Sequence, residues 1–152
     1  MRVKCRGHER GGQIVPANKS QAYFYMVGMG ILIALISSVL DHARTGFESP
    51  WLWIPVATGV FATVTAVGMG MLDQPTRADL LTYTAAMLLL LLTGLVGSLL
   101  HVNANLVAQT AIIPERFLRG APFLAPLLFA NMGMLGFIVL LDPIEHADLR
   151  GR

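Results

Sequence analysis

The sequence is poor in charged residues and contains a single cysteine. Charged residues make up 13% of the 152 residues, whereas ordinary soluble domains carry about 25%. So few charges cannot cover a soluble globule with solvated side chains. The composition therefore argues against a soluble enzyme, a disordered protein and a nucleic-acid-binding module. The one cysteine, Cys5, excludes an intramolecular disulfide and a four-thiolate zinc site.

The charged residues are missing from four long apolar runs, which lie at residues 22–40, 51–72, 80–101 and 121–141. Each run has the length of about 20 mostly apolar residues that a transmembrane helix needs. The predicted fold is therefore an all-α integral membrane protein, a single membrane domain over residues 1–152 with four transmembrane helices. The lipid bilayer is its first predicted partner, and no nucleic acid is expected to bind.

Lysine and arginine are distributed unevenly between the two ends of these spans. Eight of the eleven lie in the basic tail at 1–20, in the connection between spans 2 and 3, or in the tail at 142–152. The segments 41–50 and 102–120 hold the other three. Because basic residues favour the cytoplasmic side, both tails are predicted to be cytoplasmic and the 102–120 loop extracytoplasmic. The predicted location is the bacterial cytoplasmic (inner) membrane.

Short connections between the spans predict two antiparallel helical hairpins, spans 1–2 and spans 3–4. Spans 2 and 4 both open with paired prolines, and both close with Leu-Asp shortly before a proline. These likenesses predict a pseudo-two-fold repeat whose axis lies along the membrane normal, as in parallel repeats. Proline and aspartate are also common at helix ends in general, so the same pattern can arise without a repeat.

Two histidines end stripes of small residues that recur every four positions. The stripes are Gly30, Ala34, Ser38 and His42 in span 1, and Thr93, Gly97 and His101 in span 3. Residues four apart lie on one helix face, and small residues let membrane helices approach closely. Because spans 1 and 3 run in the same direction, we expect His42 and His101 at the same depth, on faces buried against protein.

Three interpretations of this histidine pair stay open. In the first, His42 and His101 are axial ligands of a tetrapyrrole, haem or bacteriochlorophyll, and Ser38 and Gly97 leave room for the flat ring one turn earlier. Over one turn of helix this resembles the Ala-x-x-x-His arrangement with which light-harvesting polypeptides bind bacteriochlorophyll. In the second, His42, His101 and Glu115 hold a metal ion such as copper, zinc or iron. In the third, the histidines only cap helix ends.

The 102–120 loop is predicted to contain helical segments of its own. Polar residues up to Gln109 can prolong span 3 by two turns, and Pro114 then starts a short interfacial helix. The candidate docking surface for a partner consists of Glu115, Arg116, Phe117 and Arg119. The alternative is a surface helix that shields the top of the bundle.

Glycine and aromatic residues inside or beside the spans have structural interpretations. The glycines predicted to serve helix packing are Gly28, Gly30, Gly68 and Gly70. The aromatic residues predicted to form belts at the membrane interfaces are Tyr23, Tyr25, Phe47, Trp51 and Trp53.

The sequence has no mid-membrane acid, no arginine ladder and no arrangement typical of a hydrolase. We therefore predict that the chain is not an enzyme by itself and is at most a cofactor-carrying subunit. The favoured function is an accessory or structural subunit of a larger membrane complex in respiratory or photosynthetic electron transfer, with other membrane subunits as partners. The alternative is a small tetrapyrrole-binding or metal-binding membrane protein that uses His42 and His101.

Overall fold

The computed structural model describes residues 19–44, 46–106 and 124–141, and the regular structure in these ranges is helical throughout. The elements are α1 (Lys19–Ala43), a 3-10 turn (Pro50–Leu52), α2 (Trp53–Met71), α3 (Arg77–Leu106) and α4 (Leu124–Leu141). The four long helices are each long and apolar enough to cross a membrane. The prediction of an all-α fold with four membrane-length helices is confirmed.

Helix α3 continues beyond the span at 80–101, in the direction in which the sequence predicts its prolongation. It continues through Leu106, so the first residues of the predicted 102–120 loop are helical. Its 30 residues measure about 45 Å at 1.5 Å per residue, which exceeds a hydrocarbon core of about 30 Å. Helix α1 begins at Lys19, within the tail predicted at 1–20, whereas residues 1–18, the predicted C-terminal tail and the predicted interfacial helix lie outside the described residues.

A capping box fixes the start of α3. The backbone N–H and the hydroxyl of Thr76 both donate to the Asp79 carboxylate, at 2.8 Å and 2.7 Å, and the Asp79 N–H donates back to the Thr76 hydroxyl at 3.3 Å. This reciprocal pairing satisfies donors that a helix start otherwise leaves without partners. The chain therefore turns within residues 72–76 and enters α3 at once.

Each helix packs against two neighbours, so that α1 and α3 lie diagonally opposite each other. The most extensive contacts join α1 to α2 and α3 to α4, with smaller contacts between α2 and α3 and between α1 and α4. A Cβ at Gly94 would lie 2.7 Å from the Pro126 carbonyl oxygen, and one at Gly133 would lie 2.8 Å from the Met87 carbonyl oxygen. The backbones of α3 and α4 therefore touch where small residues meet.

Three of the four glycines predicted to serve helix packing face another helix. Gly28, Gly30 and Gly70 each point at a side chain across an interface, and a Cβ at Gly28 would lie 3.0 Å from Val67. Gly68 differs, because a Cβ there would meet no atom within 4 Å. Its side of α2 is open, so the packing prediction fails at this one position.

The bundle interior is filled at the end where α1 and α3 begin. The rings of Phe24 and Tyr83 meet edge to face with centroids 5.1 Å apart, and the Tyr83 hydroxyl donates to the Gly136 carbonyl at 3.2 Å. Ile31 and Leu90, two turns further along, have 0% of their surface exposed. Packed apolar side chains therefore close this end of the bundle.

The outside of the bundle is apolar along its length. Large side chains such as those of Ile33, Val64 and Leu99 point away from the interior and are strongly exposed. Soluble monomers rarely expose an apolar surface of this extent. It fits a lipid environment.

Candidate functional site

His42 and His101 face each other across the interior of the bundle. His42 lies in the last turn of α1, and His101 lies in α3 shortly before that helix ends. Their ring centroids are 6.4 Å apart and their ring planes are inclined at 59°. The end of the bundle that carries them, defined by Ser38–His42 of α1 and Gly97–His101 of α3, is the histidine end.

The same register relates α1 to α3 at both ends of the bundle. Phe24 of α1 contacts Tyr83 of α3, and eighteen residues later in each helix His42 contacts His101. Eighteen residues span about 27 Å of helix. The two helices therefore run in the same direction, and the histidines lie at the same depth, as their sequence positions predict.

A cavity of about 590 Å³ opens beside the two histidines. Its wall includes residues of α1, α3 and α4 and of the chain around the start of α2. The volume lies within the range of about 300–1,000 Å³ that is typical of sites for small molecules and cofactors. Apart from a few polar groups the wall is apolar.

The cavity exists because the helices present small side chains at the histidine end. Ser38 and Gly97, each one turn before a histidine, both line it, and so do Ala104 near the end of α3 and Ala125 at the start of α4. Ser38 is 6% exposed and so faces the interior. At the opposite end the corresponding interior is filled by aromatic and long aliphatic side chains. The two residues predicted to leave room for a flat ring therefore border open space.

Few polar side chains accompany the histidines in the cavity wall. They are those of Ser38, Asp41 and Thr93. The Thr93 hydroxyl lies 3.5 Å from the Thr58 hydroxyl of α2, within hydrogen-bond distance. Nδ1 of His101 is shielded from the surface. An apolar cavity with a small number of placed polar groups is the usual composition of a ligand site.

A Schellman turn after α1 holds Phe47 against His42. Gly46 has a φ of +73°, its N–H bonds to the Ala43 carbonyl at 3.1 Å, and the Phe47 N–H bonds to the His42 carbonyl at 3.3 Å. These are the two hydrogen bonds of the motif. The Phe47 ring then lies edge-on to His42, with centroids 6.0 Å apart, and stacks on Trp53 at 4.6 Å.

Phe47 is a site residue that the sequence prediction missed. The sequence places it in an interfacial belt but does not predict that its ring contacts a histidine and a tryptophan. Its φ of +51° is unusual for a residue with a side chain. Gly46, a glycine shortly after a helical pattern, was the signal for this turn.

The other predicted site residues divide into those the structure describes and those it does not. The predicted docking surface and the third predicted metal ligand lie outside the described residues. The docking surface comprises Glu115, Arg116, Phe117 and Arg119, and the metal ligand is Glu115. Within the described ranges no three His, Cys, Asp or Glu side chains converge as a metal site. The described part of the predicted metal site is therefore the histidine pair alone.

Together these features define an all-helical protein with four membrane-length helices and an apolar cavity that carries a histidine pair at one end. Comparisons with protein-family models, with curated proteins and with solved structures find no match.

Proposed function

We propose that the chain binds haem, with His42 and His101 as the two axial ligands of one iron. The observation that carries this proposal is the distance of 6.4 Å between the imidazole centroids. A metal held between two imidazole nitrogens, each about 2.0–2.1 Å away, puts the ring centroids about 6 Å apart. Histidine is a common axial ligand of haem iron.

The cavity supports a macrocycle in preference to a bare metal ion. A tetrapyrrole supplies four ligands from its own ring, so two protein side chains complete the coordination. A bare transition metal takes three or four protein ligands, and the described residues supply two histidines at this place. The cavity beside the pair, bordered by Ser38 and Gly97, gives the flat ring its room.

The absorption spectrum of the purified protein tests this proposal directly. Expressed with haem supply and purified in detergent, the chain is expected to carry about one haem per polypeptide and to show a six-coordinate Soret band. If added bacteriochlorophyll gave a near-infrared band and no haem band appeared, the bound tetrapyrrole would be bacteriochlorophyll and not haem. A colourless protein under both conditions would contradict the proposal.

A role as a non-catalytic subunit of a larger electron-transfer complex is the second proposal, and it follows from the position of the pair. The described residues contain two histidines, and both lie at one end of the bundle. A single haem there needs a donor and an acceptor that other molecules provide. We expect the chain, extracted from a respiratory or photosynthetic membrane in mild detergent, to migrate on native gels with further membrane subunits. Migration as a monomer would contradict this role.

We also propose that α1–α2 and α3–α4 are two antiparallel hairpins related by a pseudo-two-fold axis. The support is the extensive packing within each pair and the equal spacing of eighteen residues from Phe24 to His42 and from Tyr83 to His101. The Gln21 amide near the start of α1 lies 3.2 Å from the Asp73 carboxylate after α2. Cysteines at these two positions, with Cys5 replaced by serine, should be joined by a short bifunctional thiol reagent, because side chains that meet at their tips lie further apart than the Cα separation of about 4.4–6.8 Å in a disulfide.

For the orientation we propose a bacterial cytoplasmic membrane with both termini inside and the histidine end outside. The support is the excess of lysine and arginine in the two tails. Cys5, the only cysteine, reports on the N-terminal tail. A membrane-impermeant maleimide should label it in inverted vesicles and not in intact cells, and the reverse labelling would contradict the orientation.

A further inference from the structure

A polar side chain lies on the outer face of α4 near the middle of that helix. Asn131 is exposed, and it is the one residue among the 18 of α4 whose side chain carries an N–H or O–H donor. It lies seven positions after Leu124 and ten before Leu141, which is about 10 Å and 15 Å along the axis. In a helix that crosses a membrane, this position is near the centre of the hydrocarbon core, where polar side chains are rare.

The amide of Asn131 differs from the hydroxyls in the neighbouring helices. Those of Thr63, Thr65 and Ser98 each donate to a carbonyl of their own helix, so they need no second helix. Asn131 offers two N–H donors and a carbonyl acceptor, and its side chain forms no hydrogen bond with the other residues that the structure describes. Lipid chains cannot replace the missing bonds as water would. The amide therefore requires a polar partner from outside the described bundle.

The apolar residues around Asn131 follow the period of a coiled coil. On the exposed face of α4 they recur at alternating spacings of three and four, as the a and d positions of a heptad do. Phe129, Ala130 and Gly133 are buried on the opposite face. An asparagine at a single a position of a heptad fixes the register and the number of helices. The exposed residues at this period, here named the α4 stripe, are Leu124, Leu127, Asn131, Met134, Ile138 and Leu141.

We propose that the α4 stripe is an interface with a second copy of this chain. Copies of one protein insert into a membrane in the same orientation, so a two-fold axis that relates two of them lies along the membrane normal. The two α4 helices are then parallel, and each residue of the stripe lies at the same depth as its counterpart. Asn131 meets Asn131 of the second copy, and because an amide both donates and accepts, each gives the other one hydrogen bond.

This self-complementary amide selects a second copy over other occupants of the stripe. A different subunit would need a polar group of its own at the same depth, whereas the second copy presents that group by symmetry. The inference does not depend on the haem function, since no residue of the stripe lines the cavity beside the histidines. Both copies carry the histidine end on the same side of the membrane.

Sedimentation equilibrium of the full-length chain in density-matched detergent tests this interface. The unsubstituted chain should sediment as a dimer. Asn131→Leu keeps a side chain of the same branching without the amide, and it removes two hydrogen bonds between helices. It should raise the dissociation constant of the dimer about tenfold, which corresponds to about 1.4 kcal/mol. Asn131→Gln restores an amide and should bring the constant to within about threefold of the unsubstituted value.

Thr65→Val is the matched control for the loss of a polar group in a membrane-length helix. Thr65 lies in α2, diagonally opposite α4, and its hydroxyl bonds to the Phe61 carbonyl of its own helix at 3.0 Å. The dissociation constant of this variant should stay within about twofold of the unsubstituted value. Far-ultraviolet circular dichroism should be the same for all the variants, which separates weaker association from unfolding.

Förster transfer between chains labelled with donor or acceptor at Cys5, the only cysteine, repeats the comparison in liposomes. A chain that is monomeric in both detergent and liposomes would overturn the inference. So would a dimer that Asn131→Leu leaves equally tight, or an Asn131-dependent association with a different subunit in place of a second copy. Each of these results leaves the haem function standing, and a protein that dimerises through Asn131 but binds no haem would contradict the haem function alone.

Discussion

Replacing either histidine of the pair with alanine is expected to abolish haem binding. In His42→Ala or His101→Ala the iron loses one of its two protein ligands, and the described residues contain no third histidine that could replace it. Loss of a supporting partner of a ligand already costs about 10–100-fold in metal affinity, so loss of the ligand itself should cost more than about 100-fold. Haem content after detergent washing, measured as the pyridine haemochrome, should fall to near zero.

Two further variants make this result specific. His8→Ala, which removes a histidine of the N-terminal tail, should leave the haem content unchanged. His42→Met supplies a thioether ligand, and a methionine–histidine pair raises the haem potential. We therefore expect His42→Met to retain haem with a more positive midpoint potential, and imidazole in the buffer to restore part of the haem in His42→Ala. Full haem content in either alanine variant would contradict the assignment.

The substitution Gly94→Ala is expected to cause the largest loss of stability. A Cβ at Gly94 would meet the Ala130 backbone nitrogen and would lie 2.7 Å from the Pro126 carbonyl oxygen. Backbone atoms cannot rotate away as a flexible side chain can, so α3 and α4 must separate. Overpacking costs about 1–3 kcal/mol and occasionally more, and we expect the upper end of that range because the clash is with backbone.

Gly68→Ala is the matched control, since a methyl group there meets no atom within 4 Å. Alanine is favoured over glycine in a helix by about 0.8–1.0 kcal/mol, so this variant should be as stable as the unsubstituted chain or slightly more stable. Unfolding by sodium dodecyl sulfate, followed by far-ultraviolet circular dichroism, measures the stability of both variants. Equal midpoints for the two variants would show that the close contact of α3 and α4 is wrong.

The sequence predicted the helices because two simple physical quantities decide them, apolar length and the absence of charge. It also predicted the faces of the histidines, since the spacing Ser38–His42 and Gly97–His101 follows from helix geometry alone. Both pairs border the same cavity in the structure. For residues whose position depends on one helix by itself, the pattern was sufficient.

Features that depend on two or more helices could not be read from the sequence. The cavity is a volume that several helices leave unfilled, and no single stretch of sequence encodes it. Gly68 and Gly70 both lie between apolar residues in the sequence, yet only Gly70 faces another helix, because the rotation of α2 about its axis decides which one does. Phe47 was missed for a related reason, since one glycine with a positive φ redirects the chain.

The packed end of the bundle closes the cavity on one side. Phe24 and Tyr83, with the buried Ile31 and Leu90 beyond them, form a packed layer between the cavity and the opposite end of the bundle. Ions and polar molecules cross a packed apolar layer only at a high cost in free energy. The cavity at the histidine pair is therefore open toward the histidine end and closed toward the opposite end, so in a membrane it would be reached from one face only.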